Sequence, residues 1–197
     1  MEGLYQSTHA LNKQSYGHSS EYLLAFRTDA ALQEQVHAAG RELLQHFPSG
    51  ASLPQQPQLT LAAFQARPEM EPTLLRWLHR IVASQKAFTA ELNNYSGFPP
   101  HMIYLRVQDH TPFQQFIRQL QVIDQYIRSD DAPPMQFVQR PHLPVAEHIV
   151  PESYQQMLSL YAQQDFHASC TIKELVVLRR EHAFDAYQCI QLFHLAA

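Results

Sequence analysis

The chain has 197 residues, 45% of them hydrophobic and 11% aromatic, enough apolar material for one substantial core in one domain or two small lobes. Only 16% are charged and the net charge is −4. These values, and the lack of any run of the roughly 18 apolar residues a membrane helix needs, exclude a strongly basic nucleic-acid module, a coiled coil, collagen and a membrane-spanning helical protein, though not a small basic groove.

The first twenty residues, MEGLYQSTHALNKQSYGHSS, are polar and without period. They read as a tail with no apolar core of a secretory signal, so the expectation is a cytoplasmic chain with one two-lobed domain over 21–197. YLLAF at 22–26 is a short strand. Thr28 and Asp29 are cap candidates for a helix whose apolar stripe is Leu32, Val36, Ala39, Leu43 and Phe47. A Pro/Gln/Ser-rich loop leads to a second strand, QLTLAAF at 58–64, and a second helix starts near Pro72 with Leu74, Leu78 and Ile81 inward.

Phe88, Ala90 and Leu92 alternate with polar residues as a half-buried strand, NNYSGFPP reads as a turn, and HMIYLRVQD alternates again. Thr111-Pro112-Phe113-Gln114 predicts a capped helix start with Gln114 closing a capping box, and Phe113, Phe116, Ile117, Leu120, Ile123 and Ile127 form its buried stripe. MQFVQRPHLPVAEHI at 135–149 reads as one strand interrupted by prolines. A short helix with Tyr154, Met157, Leu158 and Tyr161 follows. Two closing strands end the chain, the first running from Phe166 into LVVLRR and the second being YQCIQLFHL. Interspersed helices and adjacent strand pairs predict an α+β fold with mixed or antiparallel sheets. The two halves follow similar patterns, which suggests two pseudo-symmetric lobes.

Glycine-loop, zincin, CxxC and GxSxG motifs are absent, and twelve histidines are scattered without metal-like spacing. Cys170 and Cys189 fall on strands expected to be neighbours and read as buried free thiols, with a redox pair as the lesser alternative. Two segments share the frame Pro-polar-Leu-x-aliphatic-Ala: Pro57-Gln58-Leu59-Thr60-Leu61-Ala62 and Pro141-His142-Leu143-Pro144-Val145-Ala146. With a period of two, Gln58 and Thr60 share one strand face, and His142 and Pro144 share another.

These residues and their order along roughly 21–195 resemble the two-histidine (2H) phosphoesterase superfamily, the group of bacterial 2'-5' RNA ligase-like proteins and RNA 2',3'-cyclic phosphodiesterases. The hallmark of that family is one His-x-Thr/Ser motif per lobe. The matching positions here are Gln58-Leu59-Thr60 and His142-Leu143-Pro144. The resemblance implies a two-lobed fold with a central groove. It implies acid–base chemistry by two imidazoles and phosphate binding by two hydroxyls, with no metal or organic cofactor.

Two departures matter. Gln58 stands where the first histidine belongs, and a carboxamide does not transfer protons near pH 7. Pro144 replaces the second hydroxyl. His142 and Thr60 remain as catalytic candidates. Gln58, Arg140, Tyr104 and Arg106 are candidates for holding the ligand, with Tyr104 able to stack a base and the arginines able to pair a phosphate. His101 has no spacing that would make it the missing histidine. The leading expectation is a degenerate member that binds a phosphate-containing small molecule, nucleotide or RNA end with weak or no hydrolysis. The alternatives are an active phosphodiesterase with rearranged partners around His142, and a non-catalytic interaction domain with a filled groove.

Overall fold

The computed structural model of the chain describes residues 19–197, so all but the end of the expected N-terminal tail lies outside the described residues. Strand β1 (Ser20–Arg27) leads into helix α1 (Ala30–His46). Asp29 caps α1, its Oδ1 accepting the Leu32 N–H at 2.8 Å. Thr28 turns instead to the Pro57 carbonyl, donating its hydroxyl at 2.9 Å, and so ties the start of α1 to the entry of β2 (Gln58–Ala66). A single 3-10 turn (Pro68–Met70) then precedes α2 (Glu71–Ala83).

Strand β3 (Phe88–Phe98) runs further than the sequence suggests. The segment expected to turn from Asn93 stays in the ladder. A bulge between Asn93 and Tyr95, with Asn94 at φ 48°, absorbs one residue and lets pairing continue to Phe98. The reversal is confined to Pro99–His101. After β4 (Met102–Val107), helix α3 (Thr111–Arg128) starts one residue earlier than expected. His110 is its N-cap residue and Asp109 accepts the Thr111 N–H at 2.8 Å, so the expected Thr111–Gln114 capping box does not form.

The proline-interrupted segment is two strands in two sheets. β5 (Gln136–Phe137) pairs with β2, and β6 (His142–Glu147) pairs with β4. Helix α4 (Pro151–Tyr161) follows. The first closing strand likewise divides at Lys173 into β7 (His167–Ile172) and β8 (Glu174–Arg180), which belong to different sheets, and β9 (Gln188–His194) ends the fold.

The result is an α+β fold with a five-stranded sheet of order β5-β2-β1-β8-β9 and a four-stranded sheet of order β6-β4-β3-β7. All ladders between named strands are antiparallel. Helices α2 and α3 pack on the first sheet, and α1 and α4 on the second. The lobes are therefore not the two halves of the sequence, because β5, β8 and β9 return to the first sheet. One core spans both sheets and contains Leu59, Leu61, Leu143 and Val145 together with Phe26, Phe113 and Phe116. A second core, Leu43, Ile103, Ala146, Tyr154, Met157 and Tyr161, lies under α1 and α4. Helix α1 comes close to β6 at Gly40, where a Cβ would sit 3.1 Å from the Val145 carbonyl oxygen.

Candidate functional site

The paired motif segments lie on adjacent strands of different sheets, since β2 and β6 run beside each other without sharing a ladder. Leu59, Leu61, Leu143 and Val145 enter the common core, fully or almost fully buried. Strand alternation then directs Gln58 and Thr60 on β2, and His142 and Pro144 on β6, away from that core. All four are half-buried. Gln58 pairs with Arg27 and Thr60 with Ala25 on β1. The Gln58 amide donates to Gln56 Oε1 at 3.3 Å, while its own Oε1 is buried without a hydrogen-bond partner.

His142 sits among aromatic rings. Its centroid is 4.6 Å from Tyr104 and 5.1 Å from Phe98, and those two rings stack at 4.7 Å. The strand register explains the grouping: Tyr104 pairs with Pro144 and Arg106 with His142. His142 Nδ1 lies 3.1 Å from the Arg140 carbonyl oxygen, an acceptor. Nδ1 therefore carries the proton, and Nε2 is the basic nitrogen of the neutral ring. Burial holds the His142 imidazole below the usual histidine range; the bond to Arg140 opposes this and the neighbouring His110 adds to it.

The structure thus gathers Tyr104, Arg106, Arg140 and His142 at one corner of the four-stranded sheet, with Gln58 and Thr60 on the neighbouring strand. Arg106 and Arg140 are exposed. His101 lies at the other end of β4, beside Met102, which pairs with Glu147, whereas His142 pairs with Arg106. Burial holds the His110 imidazole below the usual histidine range, and the charge of Arg140 adds to this.

The cysteines are not on neighbouring strands. Cys170 is buried in β7 of one sheet and Cys189 is exposed on β9 of the other. Among the described residues no group of three or more His, Cys, Asp or Glu is placed to hold a metal ion, and no helix is long and apolar enough to cross a membrane. A surface depression of about 250 Å³ between Lys86, Phe88, Pro112, Gln115 and Phe116 contains none of the candidate residues.

The family model described as the 2'-5' RNA ligase superfamily matches residues 28–183. Among solved structures, TT0787 of Thermus thermophilus is similar with a TM-score of 0.69 at 17% identity, covering 89% of this chain and 97% of its own. E. coli LigT complexed with 3'-AMP is similar with a TM-score of 0.67 at 16% identity, covering 91% and 99%. LigT complexed with phosphate gives a TM-score of 0.62 at 15% identity, covering 92% and 100%. Comparison with curated protein sequences gives no match.

Proposed function

Because the chain belongs to the 2'-5' RNA ligase superfamily, we propose that it uses the surface between β2 and β6 to bind a phosphoester, either a nucleotide-sized small molecule or an RNA end, and that its hydrolytic power is strongly reduced. One observation carries this reading. The two segments at the family's motif positions lie on adjacent strands with their aliphatic residues in one core, and Gln58, Thr60 and His142 on the opposite faces. The structures of LigT with 3'-AMP, phosphate, ATP and NADP+ support the ligand class.

The residues have distinct tasks in this reading. Opening a 2',3'-cyclic phosphate requires a base for the attacking water and an acid for the leaving oxygen. His142 suits the first role because its Nδ1–H is held by the Arg140 carbonyl oxygen and its Nε2 can accept. Thr60 can donate its hydroxyl to a phosphate oxygen, and Arg140 and Arg106 supply positive charge. Tyr104 presents an aromatic face beside His142. Gln58 can orient a ligand but cannot act as the acid. Loss of that role costs about 10²–10⁴ in rate. The hydroxyl missing at Pro144 costs on the order of a further 10². A cytoplasmic setting fits a ligand of this kind.

The test is binding. Addition of 3'-AMP, and separately of inorganic phosphate, should shift the His142 ring signals in an NMR titration, and His142→Gln should weaken 3'-AMP binding at least about tenfold. Unchanged His142 signals at saturating ligand would refute the assignment. The interaction-domain alternative predicts that outcome.

A further inference from the structure

We propose that Phe98 is a positioning residue for His142, and that the bulge at Asn94 places Phe98 where it can act on that ring. The consequence for ligand binding rests on the phosphoester reading of the β2–β6 surface given above.

The placement follows from a change of face along β3. Ala90 and Leu92 are buried in the core they share with Leu105 and Val107. Strict alternation would turn Ser96 and Phe98 toward that same side. The bulge between Asn93 and Tyr95 reverses the count. Tyr95 and Gly97 now face α4: the Tyr95 ring lies 4.4 Å from that of Tyr161, and a Cβ at Gly97 would meet the Tyr154 hydroxyl. Ser96 and Phe98 are thereby turned to the other face, where Ser96 pairs with Tyr104. Asn94 sits at φ 48°, a conformation that asparagine adopts more readily than most residues. Phe166 holds it there. The Asn94 N–H donates to the Phe166 carbonyl oxygen at 2.9 Å, and Asn94 Oδ1 accepts the Phe166 N–H at 3.4 Å.

On that face three rings from three strands meet. Phe98 of β3 stacks on Tyr104 of β4 at 4.7 Å and 27°. It stands edge-on to His142 of β6 at 5.1 Å and 67°, while Tyr104 and His142 are 4.6 Å apart. All three are half-buried. The bond from Nδ1 to the Arg140 carbonyl oxygen fixes one atom of the imidazole. Contact with two further rings restricts its plane, and so the direction of Nε2. The same contact keeps water from the ring.

The experiment reads His142 by NMR and 3'-AMP binding by titration, in the wild-type chain, Phe98→Leu and Phe98→Tyr. Nuclear Overhauser contacts should join the Phe98 and His142 rings in wild type. In Phe98→Leu the His142 titration midpoint should rise toward the ordinary histidine value of about 6.5. The other titratable and charged groups around the ring, Tyr104, Arg106, His110 and Arg140, are unchanged by the substitution. Binding of 3'-AMP should weaken at least about threefold in Phe98→Leu and stay within about twofold in Phe98→Tyr. A double-mutant cycle separates positioning from direct contact with the ligand: in a His142→Gln background, Phe98→Leu should change affinity by less than about twofold. Equal losses in the two backgrounds, a wild-type ring pair without Overhauser contacts, or a His142 midpoint unmoved in Phe98→Leu overturns the proposal. Failure of the wild-type chain to bind 3'-AMP overturns the phosphoester reading instead, and the ring contacts and midpoint still decide whether Phe98 positions His142.

Discussion

The Nδ1–H of His142 donates to the carbonyl oxygen of Arg140 two residues before it, at 3.1 Å. This short-range bond fixes the tautomer of the ring at the start of β6. It works with the packing of Tyr104 and Phe98 against the same imidazole. An orienting bond on one nitrogen and an available acceptor on the other is what a general base requires.

The ring's surroundings predict a pH effect on stability. Burial lowers the folded-state pKa of His142, and likewise that of His110, whose second cause is Arg140. For a histidine lowered in this way, the unfolded chain takes up the proton first as pH falls below about 6.5. Stability is therefore complete above that value and declines as pH drops toward the folded pKa. Glu147 acts in the opposite sense: burial raises its pKa, so its contribution is present below about 4.5 and is lost as pH rises through its folded value. Urea midpoints should fall between pH 7.5 and 5.5, and the fall should be smaller in His142→Gln. An equal fall in the variant would show that His142 is not a source.

Gly97 carries a packing prediction. A Cβ there would lie 2.2 Å from the Tyr154 hydroxyl oxygen and 3.2 Å from the Met102 carbonyl oxygen. Tyr154 is 2% exposed and cannot swing into open space. Gly97→Ala should therefore cost about 1–3 kcal/mol in equilibrium unfolding, the usual range for overpacking. An unchanged urea midpoint would contradict this packing.

The α1 cap gives a smaller effect. Asp29→Ala removes the acceptor of the Leu32 N–H and should lower stability by about 1 kcal/mol. Thr28→Val probes a different contact, since it removes the buried bond to the Pro57 carbonyl that links α1 to the start of β2. It should cost about 1–3 kcal/mol through the unsatisfied buried carbonyl.

The elements with a long apolar period were legible in the sequence. The stripe from Phe113 to Ile127 became the buried face of α3, and the alternation at Ile103, Leu105 and Val107 became β4. Sheet membership was not legible. Lys173 separates two strands of opposite sheets with neither Gly nor Pro to mark the break, and residues 138–141 cross between sheets inside an apparently single strand. Local alternation records which face is buried, whereas partner choice depends on contacts distant in sequence. The same limit applies to the pairing of Arg106 with His142, which no spacing within the sequence encodes.

The central claim is that positions 58 and 142 serve one phosphoester. Gln58→His tests it most directly, assayed on 2',3'-cyclic CMP beside wild type and the double variant Gln58→His/His142→Ala. Restoring an imidazole at position 58 should raise kcat by about 10²-fold or more, within the range for one acid–base group, and the double variant should lose the gain. A Gln58→His protein that binds 3'-AMP yet hydrolyses no faster than wild type, or a gain that survives loss of His142, would contradict the claim.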